Sequence, residues 1–396
     1  MLRLHIENIL DREEKIMNEQ ITTLASLTID GKGSYGIGAS AVPFSKDLYT
    51  YLRITDIKDD GTLNLQDLKS VDDEKASEYL LKPNDIVFAR TGASTGRNYF
   101  YDGTDGEFVY AGFLIKFSID EKKVNPKYIK YFCQSKQYKD WINSFNTGST
   151  RGNINAQTFG KMPIPLIEIK TQDALVSMLS SIDEKIKKNN AINNNLEQQA
   201  MALFKSWFID FEPYNRTVPN NWIEYRLSDF LPVITGKKNA NVSSSIGIYP
   251  FFSCSQDIAW TDEYSFEGNA ILVAGNGDFN VKFYNGKFEA YQRTYVLIPH
   301  NPRFSAWLFY AVKYNLNKIT ASARGSVIKF ITKGSLEDFS FYAPLNLDDF
   351  DVIDQFTAIN DIIASNREEN ACLSDLKDTL LPKLMSGELD VSKIEI

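Results

Sequence analysis

The second half of this chain repeats the first, and each half closes with the same long helical pattern. Residues 182–186 (IDEKI) return 177 positions later as residues 359–363 (INDII). A repeated unit of roughly 180 residues is too long for a solenoid, whose repeats run to about 50 residues. The chain is therefore expected to form two similar bodies on matched helices, an arrangement that favours a ligand with two similar half-sites.

Both long helical patterns advance by alternating steps of four and three residues, the spacing of a coiled-coil seam. The seam positions are 175, 179, 182, 186, 189, 193, 196, 200, 203 and 207 in the first pattern and 352, 356, 359, 363, 366, 370, 373, 377, 380 and 384 in the second. Both seams place asparagines at the same two positions: Asn189 and Asn193, and Asn366 and Asn370. A buried asparagine costs stability unless it meets a polar partner, so it selects register. We predict antiparallel helices whose asparagines face one another. The alternative is that each helix packs singly on its own domain with its asparagines exposed.

Composition indicates a folded chain of two, or at most three, domains. It has 396 residues, of which 43% are hydrophobic and 24% charged. No stretch approaches the ~20 apolar residues of a membrane span, and residues 1–20 predict a short amphipathic helix instead of a secretory signal. The three cysteines (Cys133, Cys254 and Cys372) are scattered and show no zinc spacing. We therefore expect a cytoplasmic protein.

The net charge of −8 at first argues against a nucleic-acid ligand, but basic residues are locally concentrated. The segment 310–334 holds five basic residues and no acidic one, and the segment 125–161 holds six basic residues against Asp140. These segments occupy equivalent places in the two halves. Because salt screens charges beyond about 8–10 Å, such faces can bind phosphate on an acidic protein. The alternative is that both are solvated helix-and-loop faces.

The predicted elements of the two halves follow the same order. Apolar runs rich in β-branched and aromatic residues predict strands at 86–89 and 113–117, and again at 270–273 and 295–298. Each half then predicts a helix after a proline: 128–132 follows Pro126, and 306–310 follows Pro302. A polar linker over 214–217, between two further prolines, is expected to join the first long helix to the second body.

Signals of catalysis are poor. The only histidines, His5 and His300, stand apart from cysteine or carboxylate clusters. The chain has no phosphate-binding loop of the Gly-x-x-x-x-Gly-Lys-Ser/Thr type. It also lacks the Asn-Pro-Pro-aromatic string of a DNA amino-methyltransferase, since the nearest string at 301–304 has no second proline. No residues nominate a metal site. A non-catalytic protein is therefore expected.

Glycine-rich loops provide the candidate binding residues. Residues 88–97 follow a predicted strand, and residues 273–280 are their counterpart; Ser149–Gly152 likewise matches Ser322–Gly325, and 30–36 forms a further loop. Glycine lets backbone approach a phosphate or base edge, and the polar side chains supply hydrogen bonds. Tight turns are the alternative explanation. The candidate DNA-binding residues are Ser34, Tyr35, Arg90, Thr91, Ser94, Thr95, Arg97, Ser149, Arg151, Asn153, Asn276, Lys282, Arg293, Ser322, Arg324, Ser326 and Lys329.

The ends of both long helices carry a resemblance to a known family. Residues 203–213 (LFKSWFIDFEP) and 380–389 (LLPKLMSGEL) resemble the helix ends of the specificity subunit of type I restriction-modification systems. The strand and glycine-rich element around Arg90 is a less specific match. The similarity covers nearly the whole chain from about residue 21, so residues 1–20 are an addition before the usual start of the first recognition domain.

The resemblance implies an α+β fold: two similar mixed α/β target recognition domains, separated by two long antiparallel coiled-coil helices, with an internal pseudo-twofold repeat. The implied segments are an N-terminal helical extension (1–20), target recognition domain 1 (21–166), a central helical spacer (167–213), target recognition domain 2 (214–345) and a C-terminal helical spacer (346–396). Each domain would read one half of a split sequence in the major groove of double-stranded DNA. The helices would act as a ruler for the unread spacer.

The resemblance also implies partners and a division of labour. The specificity subunit has no catalysis, cofactor or metal of its own. It assembles with two methyltransferase subunits, which bind S-adenosylmethionine and methylate adenine. It also assembles with two restriction subunits, which use ATP and Mg²⁺ to translocate and cleave DNA.

Two other classes of function remain open from the residues alone. An adaptor whose duplicated domains bind proteins is compatible with the acidic net charge and the 13% aromatic content. A solitary enzyme is disfavoured by the missing motifs. Salt-dependent DNA binding separates the specificity subunit from the adaptor, and methyl transfer by the chain alone is the mark of the enzyme.

Overall fold

The structure, a computed structural model, describes residues 20–65, 67–145, 152–244, 246–321, 323–325 and 328–389. The chain divides into two compact units. Unit 1 comprises Met1–Lys185 and Cys372–Ile396, and unit 2 comprises Ile186–Ala371. The amphipathic helix predicted for residues 1–20 lies outside the described residues except at Gln20, where a β-strand begins instead.

Unit 1 has a mixed body of strands and short helices. Its elements are β1 (Gln20–Thr23), β2 (Ser34–Tyr35), β3 (Ala41–Pro43), β4 (Tyr49–Leu52), β5 (Lys69–Val71), β6 (Asp85–Ala89), β7 (Asn98–Tyr101), β8 (Phe108–Tyr110), β9 (Leu114–Ser118), α1 (Pro126–Phe132), α2 (Lys136–Asn143), α3 (Ala156–Gly160) and β10 (Pro163–Leu166). One sheet has the order β2-β9-β6-β7 and a second the order β3-β5-β4-β8, while β1 pairs with β10.

The core of unit 1 forms where its apolar runs predict it. All five residues of β6 are buried, which explains its unbroken apolar pattern, and the prediction of a strand at 86–89 is confirmed. Helix α1 begins at Pro126, with the Asn125 side chain accepting a hydrogen bond from the amide of Lys127 as its cap. The strand predicted at 113–117 begins one residue later, because the amide of Leu114 closes a turn onto the carbonyl of Ala111.

Unit 2 repeats this plan. Its elements are β11 (Trp222–Arg226), β12 (Val233–Thr235), β13 (Tyr249–Phe252), β14 (Ala259–Thr261), β15 (Phe266–Ala274), β16 (Val281–Ala290), β17 (Thr294–Leu297), α5 (Ser305–Tyr314), α6 (Leu316–Thr320), α7 (Lys333–Glu337) and β18 (Ser340–Pro344). The main sheet has the order β12-β17-β15-β16-β13-β14, and β11 pairs with β18. The predicted strands at 270–273 and 295–298 and the helix at 306–310 are confirmed, with β17 ending at Leu297.

The two bodies agree in detail. The parallel pairing of β4 with β8 in unit 1 has its counterpart in the parallel pairing of β13 with β16 in unit 2. Gly36 and Gly236 take the same place, each donating its amide to the strand opposite, at Leu114 and Thr294. A Cβ at either glycine would lie 2.2 Å from a backbone carbonyl oxygen, so only glycine fits. The predicted α+β class with two similar mixed bodies is confirmed.

Two long helices complete the fold: α4 (Ile169–Phe208), of 40 residues, and α8 (Val352–Met385), of 34. In unit 2 they run antiparallel, because Asn189 contacts Asn370 whereas Asn193, further along α4, contacts Asn366. In unit 1 Asp183 contacts Lys377, and residues 175–179, earlier on α4, share a buried cluster with residues 381–385, later on α8. The antiparallel arrangement inferred from the seam is therefore confirmed within each unit.

The segment after α4 is less linker-like than its polar sequence predicts. The ring of Tyr214 contacts those of Trp207 and Trp222, with centroids 5.9 and 5.5 Å away. Phe211 and Asn215 adopt left-handed backbone conformations that turn the chain back. Residues 215–217 are exposed between α4 and β11, whereas Tyr214 is half-buried because the bend folds its ring onto the core of unit 2.

Candidate nucleic-acid interface

In unit 1 the glycine-rich segment 90–97 forms a tight loop after β6. Gly92 and Gly96 have positive φ, and a Cβ at Gly96 would lie 2.6 Å from Ile142. The hydroxyl of Thr95 donates to the carbonyls of Gly92 and Gly152, at 2.9 and 3.0 Å. Ile154 donates its amide to the carbonyl of Arg90 at 3.0 Å. The structure thus joins this loop to the segment that begins at residue 152.

Arg90 and Tyr35, predicted from separate loops, meet here. The guanidinium carbon of Arg90 lies over the Tyr35 ring, 5.2 Å from its centroid. The Tyr35 hydroxyl accepts a hydrogen bond from the amide of Ala156 at 3.1 Å, while the tyrosine remains 43% exposed. The Nε atom of Arg90 is buried and has no hydrogen-bond partner within the described part of the chain. These residues form an aromatic and cationic surface, which we name the Arg90 surface.

The other candidates of unit 1 differ in availability. Arg97 is held by the chain itself: its guanidinium makes two hydrogen bonds to the Asp59 carboxylate and one to the carbonyl of Ile57. Its expected role as a free DNA contact is therefore not supported by its geometry. Ser94 is buried, whereas Thr91 and Ser34 are half-buried and Asn153 is exposed. Ser149 and Arg151 lie outside the described residues.

Unit 2 builds its surface differently at the equivalent place. Gly275 donates to the carbonyl of Arg293 at 2.9 Å and accepts from Ile331 at 3.0 Å, the same bonds that Arg90 makes with Phe113 and Ile154. Position 90 of unit 1 therefore corresponds to a glycine in unit 2. The carbonyl of Lys329 accepts from the amide of Gly277 at 3.0 Å, so Asn276 lies beside the basic segment.

That basic segment is a short antiparallel ladder. Arg324 and Phe330 exchange both backbone hydrogen bonds, at 2.9 and 2.8 Å. Gly325 has a φ of +106°, and a Cβ there would lie 2.2 Å from the carbonyl oxygen of Ile328. Arg293, Arg324 and Lys329 are exposed, and no ion pair holds them among the described residues. Ser322 and Ser326 lie outside the described residues.

Lys282 does not act as a free cation. Its ammonium donates to the carbonyl of Ser255 at 2.5 Å and to Oδ1 of Asn280 at 2.7 Å. Burial lowers the pKa of this ammonium. Since its donors already stabilise the loop around residues 254–256, the expectation that Lys282 contacts DNA is not supported by its geometry.

Sequence reasoning missed two kinds of residue at these loops. Asp59, which captures Arg97, lies 38 positions away in sequence, so no local pattern could reveal it. Ile328 and Phe330 are 57% and 41% exposed beside Lys329. Ile328 and Phe330 alternate with polar residues, as apolar residues do in a half-buried strand. Here the ladder lies outside the named strands, so both side chains are exposed. They add apolar contact area to the unit 2 surface.

The asparagines of the seam are hydrogen-bonded to one another. Nδ2 of Asn366 donates to Oδ1 of Asn193 at 2.8 Å, and Nδ2 of Asn189 donates to Oδ1 of Asn370 at 2.9 Å. Asn189 also donates to Glu369 at 2.7 Å. Asn370 donates to Asn190 at 2.9 Å, a partner one position off the seam that the periodicity does not mark. We name this group the asparagine clasp. It fixes the register of the helices within unit 2.

In unit 1 the corresponding helix contact is ionic. The Asp183 carboxylate accepts from the ammonium groups of Lys130 and Lys377, at 2.7 and 2.5 Å, and from the Tyr131 hydroxyl at 3.0 Å. The position equivalent to Asp183, 177 residues on, is Asn360, which accepts from the Tyr310 hydroxyl at 2.9 Å. In each unit a tyrosine hydroxyl thus donates to a side chain of a long helix. The acceptor is a carboxylate in unit 1 and a neutral amide in unit 2.

Other classes of site are not evident. The described part of the chain holds no group of three or more His, Cys, Asp or Glu side chains placed to bind a metal ion. None of the helices in that part is long and apolar enough to cross a membrane.

Two similar mixed bodies, each with a glycine-rich loop surface and a share of one helix pair, define a duplicated recognition protein. The family model described as "Type I restriction modification DNA specificity domain" matches twice, at residues 45–198 and 219–370. Because these matches cover most of the chain, it belongs to this family.

Individual relatives agree. The type I restriction enzyme EcoDI specificity subunit of Escherichia coli is 39% identical over 127 residues, 32% of this chain but only 28% of the relative. The MjaIX specificity subunit of Methanocaldococcus jannaschii is 22% identical over 316 residues, 70% of this chain and 72% of the relative. A crystal structure of the type I restriction-modification S subunit from M. genitalium shares the fold, with a TM-score of 0.56 and 18% identity over 93% of this chain and 96% of that one.

Proposed function

We propose that this chain is the DNA sequence-specificity subunit of a type I restriction-modification complex. Each recognition domain reads one half of a bipartite DNA target. The paired helices fix the unread spacer and dock methyltransferase subunits. The observation that carries the proposal is the duplicated specificity domain, in which the loop surface of each copy has at least one cation without an ion pair among the described residues.

The two loop surfaces favour different half-sites. The first offers Arg90 over the Tyr35 ring and the exposed Asn153, whereas the second offers Arg324 and Lys329 beside Asn276. Side chains that reach base edges specify sequence, and those that reach phosphates set position. Since position 90 is a glycine in unit 2, the two domains cannot read DNA with the same set of groups.

Within the complex, the chain contributes recognition and assembly. Two methyltransferase subunits bind S-adenosylmethionine and methylate adenine, and two restriction subunits use ATP and Mg²⁺ to translocate and cleave DNA. The chain itself binds no cofactor, and the complex works in the cytoplasm. The proposed boundaries are the segments given above: recognition domains at 21–166 and 214–345, with helical spacers at 167–213 and 346–396.

A matched shortening of both helices tests the proposal. Deleting residues 186–192 and 367–373 removes one heptad from each helix and leaves the pair of Asn193 and Asn366 in register. At 1.5 Å per residue the loss is about 10 Å, or roughly three base pairs of the 3.4 Å rise of duplex DNA. Selection of bound DNA from a random library by the complex should recover the same half-sites with a gap about three base pairs shorter.

A deletion of residues 186–192 alone is the control, because it breaks the register and should abolish assembly. An unchanged gap in the matched double deletion would contradict the ruler role. DNA binding of the full complex that is insensitive to salt would favour the protein-binding adaptor instead, since phosphate contacts release counterions.

A further inference from the structure

One guanidinium in the described loops combines a fixed position with free donors. Arg90 directly follows the buried strand β6, its amide donates to the carbonyl of Phe113 at 3.1 Å, and its carbonyl accepts from Ile154. The backbone at this residue is therefore held from both sides. No described residue accepts a hydrogen bond from its guanidinium.

The buried Nε atom shows that this arrangement has a cost. A buried donor without a partner is destabilising, because it loses its hydrogen bonds to water and gains none in return. The guanidinium carbon nevertheless lies over the Tyr35 ring, 5.2 Å from its centroid. The attraction between the cation and the ring face holds the group over Tyr35 and leaves its remaining donors for a ligand.

Tyr35 is itself held in place. Its hydroxyl accepts from the amide of Ala156, the first residue of α3, so the ring is tied to a helix of the body. The Tyr35 ring lies under the guanidinium of Arg90, while the Tyr35 hydroxyl is hydrogen-bonded to the backbone at Ala156. Tyr35 is thus a positioning residue for Arg90.

The neighbouring arginine provides the contrast. Arg97 lies on the same loop, but the carboxylate of Asp59 occupies its fork at 2.6 and 3.2 Å. A planar acceptor pair of this kind is what a guanidinium edge binds best. In duplex DNA the matching planar pair is O6 and N7 of guanine, the commonest specific partner of arginine in the major groove.

We propose that Arg90 reads one guanine in the half-site of the first recognition domain through O6 and N7, with Tyr35 holding the guanidinium in place. This inference rests on the proposed function. The second half-site is read without this contact, because Gly275 takes the equivalent place. A phosphate is the competing partner, and it would give no preference for a base.

The test uses the complete complex with its methyltransferase partners and a DNA library randomised at both half-sites. Wild type is compared with Arg90→Lys, Arg90→Ala, Tyr35→Phe and Tyr35→Ala. Arg97→Lys is the matched control. Arg90→Ala should lose the preference for guanine at one position of the first half-site, with about a ten- to hundredfold loss of affinity for the wild-type sequence. Arg90→Lys keeps the charge but not the planar fork, so it should weaken that preference.

The tyrosine variants separate positioning from contact. Tyr35→Phe keeps the aromatic ring under the guanidinium and should keep the guanine preference, whereas Tyr35→Ala should weaken the preference at that same position alone. Arg97→Lys should leave the preferred bases of the first half-site as they are. An unchanged second half-site in every variant shows that the protein is folded and assembled.

Two results would overturn the inference. One is an equal loss of affinity for all sequences in the Arg90 variants, which marks a phosphate contact. The other is a guanine preference that survives Arg90→Ala. In either case a bipartite motif for wild type leaves the proposed function standing, whereas the absence of any bipartite motif for wild type contradicts the proposed function itself.

Discussion

Replacing Asp183 by asparagine should destabilise the helix pair of unit 1. The substitution keeps the shape of the side chain and makes it the residue that unit 2 carries at the equivalent position, Asn360. It removes the charge that Lys130 and Lys377 face at 2.7 and 2.5 Å. Lys377 keeps only 16% of its side chain exposed, so its ammonium cannot fully regain water.

The magnitude follows from these contacts. A hydrogen bond to a charged group contributes about 1.5–3 kcal/mol, and breaking a fully buried pair costs about 3–5 kcal/mol. Asp183 and Lys130 keep 24% and 28% of their side chains exposed, so solvent relieves part of the loss. We expect the free energy of unfolding to fall by about 2–3 kcal/mol at pH 7.

Hydrogen exchange locates the effect. Amides of 169–185 and 372–385 should exchange faster in Asp183→Asn, while those of 186–208, in unit 2, serve as the internal reference. Adding Lys377→Ala recreates the pairing of residue types in unit 2, where the equivalent positions are Asn360 and Ala200. The double variant should therefore lose less than the sum of the two single variants.

The pH dependence has a definite sign. Burial alone would raise the pKa of Asp183, but the ammonium groups of Lys130 and Lys377 outweigh it and lower the pKa. The stabilisation is fully present above the ordinary aspartate pKa of about 4 and is lost as pH falls through the lowered value. The difference between wild type and Asp183→Asn should shrink below that pH. An equal difference at pH 3 and pH 7, or none at pH 7, would refute this reasoning.

Three further substitutions test other parts of the structure. Gly36→Ala should cost roughly 1–3 kcal/mol or more in thermal unfolding, because its Cβ would lie 2.2 Å from a carbonyl oxygen, whereas Gly38→Ala, with nothing within 4 Å, should be tolerated; equal costs would contradict this. Asn366→Ala leaves the buried Oδ1 of Asn193 without its donor and should cost about 1–3 kcal/mol in urea unfolding; a loss of only a few tenths would indicate that the clasp contributes no stability. Lys329→Ala should weaken binding to all DNA sequences alike and lower the slope of log affinity against log salt by about one; a change in base preference would instead mark a base contact.

Much of the fold follows from the sequence, because its regular elements bury regular patterns. The unbroken apolar run of β6 and the proline at the start of α1 each act locally, and the predicted strand and helix appear there. The seam of α4 and α8 is also readable, since two helices that pack lengthwise must repeat their contacts every three and four residues. The asparagines at equivalent seam positions predict the clasp.

The loops are less predictable, because distant residues decide what their side chains do. Arg97 and Arg90 lie in the same glycine-rich segment of the sequence. The guanidinium of Arg97 forms an ion pair with Asp59, whereas that of Arg90 lies over the ring of Tyr35. The sequence predicts that Lys282 contacts DNA, but its ammonium donates to the carbonyl of Ser255, 27 positions away in the chain. A local sequence pattern does not show such distant partners. The sequence therefore predicts the candidate loops, but it does not separate cations that the protein itself holds from those without an ion pair.

We propose that this chain directs methylation to a split DNA sequence. Base-resolution mapping of N6-methyladenine in cells with and without the chain tests it most directly. We predict a bipartite motif with two half-sites and a fixed gap, methylated only when the chain is present. A methylation pattern that is unchanged on removal of the chain would contradict the account.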